Sequence, residues 1–171
     1  MRRLASAAVL TGLMAGPAAA AELNLSVEIP RMSVAEYHNP YVAIWVEKPD
    51  QTAVKTLAVW YDIKLRNSEG ETWLKDMRQW WRRAGRAMTL PADGVSGATK
   101  APGRHQVKFV GGKAPLGTLP AGQYNLVVEA AREVGGREMV RIPFQWPPKA
   151  AATGQAKGET ELGAVSLSLK P

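Results

Sequence analysis

The sequence predicts a mainly β fold, an antiparallel sandwich of about seven strands with one inserted amphipathic helix. Three observations predict it. Alternating or β-branched runs recur with turn residues between them, and a single segment spaces its apolar residues as a helix does. The composition also suits one globular core, since 46% of the 171 residues are hydrophobic and 22% charged. That length gives one domain.

Arg2 and Arg3 precede an uncharged run from Leu4 to Ala15, and Pro17 leads into Ala18, Ala19, Ala20 and Ala21. Residues 1–21 therefore read as a signal peptide cut before Glu22, because the apolar run is about half the roughly 20 residues that span a bilayer. The chain has no cysteine, so no lipobox is possible, and the mature protein is expected in a bacterial periplasm without membrane insertion. Removing Arg2 and Arg3 leaves 20 basic against 15 acidic residues, a net of +5. An excess that mild does not call for nucleic acid, although it suits an anionic cofactor or an acidic electron-transfer partner. Zero cysteine also excludes disulfides, thiolate zinc sites, iron–sulfur clusters and c-type haem. Any redox role needs another cofactor.

Leu23, Leu25, Val27 and Ile29 alternate with polar residues, which predicts a strand with one buried face, ended by Pro30. Tyr41 to Glu47 and Val54 to Leu65 are β-branched and aromatic, and Lys48-Pro49-Asp50 between them predicts a hairpin. Ser68 and Glu71 have the spacing of a capping box, and Trp73, Leu74, Met77, Trp80, Trp81 and Ala84 follow at near-helical intervals, with Gly85 past the end. Lys75, Arg78, Arg82, Arg83 and Arg86 complement the dipole of that helix.

Thr89 to Gly103 has no period and reads as a loop. Strand patterns resume at His105 to Val110, Gln123 to Glu133, Glu138 to Trp146 and Thr160 to Leu169, with the glycine pairs at 111 and 135 as hairpin turns. Arg132, Glu133, Arg137 and Glu138 then read as cross-strand ion pairs. The Gly122-Gln123-Tyr124 step from turn to strand is of the kind that recurs in Ig-like bacterial domains, so the sandwich is expected to be Ig-like. Residues 22–146 form its body, 147–157 a linker without large apolar residues, and 158–171 its last strand.

Three segments resemble a family of uncharacterised predicted periplasmic proteins, a domain of unknown function: PYVAIWVE at Pro40 to Glu47, TLAVWYD at Thr56 to Asp62 and EAAREVGGRE at Glu129 to Glu138. A second, local likeness carries chemistry. Asp93-Gly94-Val95-Ser96-Gly97-Ala98-Thr99 resembles the D-x-x-[ST]-G-A-[ST] acceptor motif of subunits with covalent FMN in the sodium-pumping NADH:quinone oxidoreductase and its Rnf relatives. The resemblance implies that an FAD:protein FMN transferase, which depends on magnesium, places FMN on Thr99 and releases AMP. Outside the motif the chain does not look like those subunits.

The residue types suit such chemistry. A threonine hydroxyl is a weak nucleophile that an outside enzyme must activate, and Gly97 and Ala98 let the segment enter that enzyme's site. Asp93 is expected to bind the transferase's metal or to make an Asx turn, and Ser96-Gly97 alternatively reads as a turn before a strand. Lys100 and Arg104 are placed in sequence to neutralise the phosphate, and Arg82, Arg83 or Arg86 are further candidates. Trp80 and Trp81 point about 100° apart on a helix, so that both fill the core or one stacks on the flavin. His38 and His105, the only imidazoles, have no metal-site spacing, and no hydrolase or P-loop motif occurs.

The expectation is a periplasmic electron-transfer protein with FMN on Thr99, reduced by a membrane flavin or haem reductase, and a carrier more than a stand-alone enzyme. The alternative is a non-redox Ig-like binding or accessory module in which Ser96 to Thr99 is only a turn.

Overall fold

The structure, a computed structural model, describes residues 20–171. The expected signal peptide lies outside the described residues apart from Ala20 and Ala21. Nine strands form two sheets, in the orders β5-β1-β9-β8 and β4-β3-β2-β6-β7. They are β1 (Glu22–Ile29), β2 (Tyr41–Glu47), β3 (Ala53–Tyr61), β4 (Ser96–Ala98), β5 (Gly103–Val110), β6 (Gly122–Ala131), β7 (Arg137–Trp146), β8 (Ala152–Lys157) and β9 (Ala164–Lys170). All neighbours are antiparallel except β3 and β4, so the mainly β sandwich stands.

The alternation in β1 buries Leu23, Leu25, Val27 and Ile29 between the sheets, against Val42, Ile44, Leu126 and Ile142 of the facing sheet. β2 is buried along its whole length. Its even-numbered residues face this core, whereas Tyr41, Ala43 and Trp45 face a second one with Val59, Tyr61, Leu74, Met77 and Trp80. A strand covered on both faces needs no alternation, which is why YVAIWVE shows none. Tyr124 donates its hydroxyl to the Pro120 carbonyl at 2.9 Å, a tyrosine-corner contact that fixes the start of β6.

Several expectations are corrected. The single amphipathic helix is broken: a 3-10 segment, Arg66–Asp76, is followed by a short helix α1 (Arg78–Arg83) and a second 3-10 turn, Gly85–Ala87. Its buried anchors Leu74, Met77 and Trp80 span the junction of the 3-10 segment and α1. Ser68 lies at φ +57° and caps nothing. Gly85 is not a left-handed cap; a Cβ there would lie 2.6 Å from the Trp80 ring, so glycine is needed for packing.

Others concern loops and the charges beside a hairpin. Residues 96–98, expected in a loop, form β4, and residues 152–157, expected in a linker, form β8. Both are edge strands held by backbone pairing, which leaves no apolar period to read. Gly111-Gly112 does not turn a hairpin but links β5 to β6 in the other sheet, whereas Gly135-Gly136 does connect β6 and β7. The charges beside that hairpin do not pair with one another. Arg132 bonds Glu161, Arg137 bonds Glu129, and Glu133 lies 3.5 Å from His38.

Glu138 instead accepts backbone N–H groups of Glu159, Thr160 and Leu162 at 2.6, 3.1 and 2.9 Å, so the chain from 158 to 163 wraps around it. This is why β9 starts at Ala164 rather than at Thr160. Burial alone would raise the Glu138 pKa, and the N–H donors outweigh it, holding the carboxyl below its usual range. A lowered folded pKa contributes stability that is complete above the unfolded value, about 4.3, and lost as pH falls through the folded one. Amide-exchange protection of Glu159, Thr160 and Leu162, corrected for intrinsic rates, is expected to fall between about pH 5 and pH 3. Equal protection at both pH values would refute the tether.

Candidate functional site

The FMN-type motif begins in a turn that its own serine closes. Val95 and Ser96 donate their N–H groups to the Ala92 carbonyl at 3.1 and 2.8 Å, and the Ala92 N–H donates to Ser96 Oγ at 3.0 Å. Ser96, Gly97 and Ala98 then pair in parallel with Val59, Trp60 and Tyr61. A Cβ on Gly97 would lie 3.4 Å from Trp60 Cδ1, so the strand runs close over that indole. Beyond β4 the Thr99 N–H donates to the Tyr61 carbonyl at 3.2 Å.

Asp93 and Thr99 therefore stand at opposite ends of β4. Asp93 is exposed and borders a shallow cleft with Lys55 and Arg83. Thr99 is half-buried, and its hydroxyl donates to Asp62 Oδ1 at 3.3 Å, a long bond. The other oxygen of Asp62 accepts the Tyr41 hydroxyl at 3.4 Å. Burial, ahead of the Asp62 charge, pushes the Tyr41 pKa up to about 12, so Tyr41 stays protonated and a donor at neutral pH.

Thr99, Asp62 and Tyr41 share a cavity of about 640 Å³ with Tyr37, Leu65 and Trp73. The β1–β2 connection, the turn after β3, the 3-10 segment and the β6–β7 hairpin supply its walls. Trp73 is 48% exposed there, and Val134, at the hairpin tip, is 72% exposed. Val134 also takes φ +51°, a left-handed conformation that β-branched residues avoid. The cavity's carboxylates are Asp62, Glu69, Asp76 and Glu133. Its one arginine, Arg132, bonds Glu161 through Nε and Nη2 at 2.8 and 3.2 Å, and the Tyr37 hydroxyl beside it is buried without a partner.

The cations named from the sequence are elsewhere. Lys100 places its ammonium 5.5 Å from the Trp60 ring centroid, Arg104 lies 3.8 Å from Glu28, and Arg83 bonds the buried Glu47 at 2.8 Å. Trp80 is fully buried with its indole N–H on Thr56 Oγ1 at 3.1 Å, and Trp81 packs against the same core. The exposed tryptophan beside Thr99 is Trp73, one position off the buried stripe. That offset was its sequence signal. Asp62 and Tyr41 gave none, since only the fold brings them to Thr99.

Among the described residues no helix is long and apolar enough to cross a membrane. No curated protein and no solved structure matches the chain significantly. One family model does match, over residues 22–164, starting at the residue after the expected cleavage site. The chain belongs to that family, described as predicted periplasmic protein (DUF2271).

Proposed function

We propose that the protein is a periplasmic electron carrier with FMN attached through Thr99, loaded by an FAD:protein FMN transferase. The observation that carries the reading is the position of Thr99. The last residue of a complete acceptor motif directly follows an edge strand, half-buried on the wall of a cavity. A cavity of about 640 Å³ is within the size range of cofactor sites, and an exposed indole in its wall suits an aromatic ligand.

Loading forms a bond from Thr99 Oγ1 to the FMN phosphorus and breaks the pyrophosphate bond of FAD. AMP leaves, and the hydroxyl proton passes to a base of the transferase. Thr99 then no longer donates to Asp62, and the new phosphodiester carries its charge beside a carboxylate. With Arg104 set against Glu28 and Lys100 over Trp60, the phosphate is best kept in water. FMN, when bound, accepts and returns one or two electrons, and a membrane flavin or haem reductase is the proposed donor.

The test is the intact mass of the mature protein exported alongside an active transferase. A gain of one FMN less water, abolished in Thr99→Ala, is expected. An unmodified mass would sink the carrier reading and leave a colourless binding or accessory module.

A further inference from the structure

Five large apolar side chains are exposed among the described residues: Val34, Val54, Leu65, Trp73 and Val134. Three of them, Leu65, Trp73 and Val134, line the one cavity that also holds Thr99. Scattered exposed apolar residues need no explanation, but convergence of three on one concavity does. Val134 adds a second observation. A valine at φ +51° holds a strained backbone of the kind that glycine would relieve, and it stays exposed at the cavity mouth.

Resting on the reading that Thr99 carries FMN, we infer that this cavity seats the isoalloxazine ring, with Trp73 against one face and Leu65 and Val134 covering its edge. The tether selects this occupant over a free ligand, because a ring attached at Thr99 is held at high effective concentration beside the wall. The inference also fixes the sign of the electrostatics. Uptake of two electrons and one proton leaves the reduced flavin anionic, and the surroundings are Glu69, Asp76 and Asp62, Glu133 with His38 3.5 Å from it, and Arg132 neutralised by Glu161. This excess of carboxylates disfavours that anion and holds the potential down. The protein as a whole is basic, so the low potential is a local property of the cavity.

The experiment uses full-length protein loaded in the periplasm, with the mass of each variant measured first. Trp73→Ala is expected to keep the FMN but raise its fluorescence several-fold, since contact with indole quenches flavin emission. Val134→Gly, which uncovers only the ring's edge, is expected to raise it less while leaving stability unchanged or improved, because glycine relieves the left-handed backbone. The combined Glu69→Gln, Asp76→Asn and Glu133→Gln variant is expected to raise the midpoint potential, shifting the ratio of reduced to oxidised flavin about tenfold, or about 30 mV for a two-electron couple. FMN present on Thr99 with fluorescence and potential unmoved in all variants would overturn the ring seat while sparing the carrier reading. Absence of FMN from Thr99 would overturn both, and the mass tells the two failures apart.

Discussion

Replacing Glu129 with alanine is expected to cost about 3 kcal/mol of stability and to lower the melting temperature by about 6–12 °C. Glu129 is fully buried on β6, and its carboxylate accepts the N–H groups of Gln79 and Trp80 at 3.1 and 2.8 Å and the Arg137 guanidinium at 2.9 Å. α1 has no capping side chain of its own. The strand beneath therefore supplies both the hydrogen bonds and the negative charge that the first turn of a helix favours. Alanine would leave a buried N–H of Trp80 unsatisfied and free the segment that covers β2. Glutamine keeps an acceptor oxygen and should lose less. Urea titration measures both, and a loss below about 1 kcal/mol for the alanine variant would refute the anchor.

The second large effect is at Arg132. The Arg132 and Glu161 side chains are 6% and 3% exposed, and Glu161 also accepts the Gly136 N–H at 2.7 Å. Arg132→Met strands a buried carboxylate and is expected to cost about 3 kcal/mol. Changing both, to Arg132→Met with Glu161→Leu, removes two desolvated charges together, including an Arg132 nitrogen that already lacks a partner, and should recover most of the loss. A double-mutant cycle decides the matter: additive losses would mean that the two side chains do not act as a pair.

The sequence was legible wherever one local rule decided the outcome. The alternation of β1, the β2–β3 hairpin and the Gly135-Gly136 turn each depend on a few adjacent residues, and each is present. The helix failed because its capping box and its apolar spacing suggested one regular element, while Asn67 and Ser68 take left-handed backbone angles that break it and Gly70 lies so close to the Asp62 backbone that no side chain fits there. β4 and β8 were illegible for a different reason. An edge strand of three to six residues is specified by a neighbour's free backbone groups rather than by its own side chains. In the site, the motif gave Thr99, but Asp62 is 37 positions away in sequence and Trp73 reaches the cavity only because the segment after β3 folds back over the sheet.

β4 is the outermost strand of its sheet and pairs through only three residues. Its detachment would leave the ladders from β3 to β7 and the whole opposite sheet in place, so it belongs to the class of partial openings that cost far less than global unfolding. Thr99, the residue proposed to carry FMN, follows directly on this short edge strand. On the reading proposed above, an enzyme that modifies Thr99 meets a finished protein and draws away only this edge segment, with the other ladders of both sheets intact.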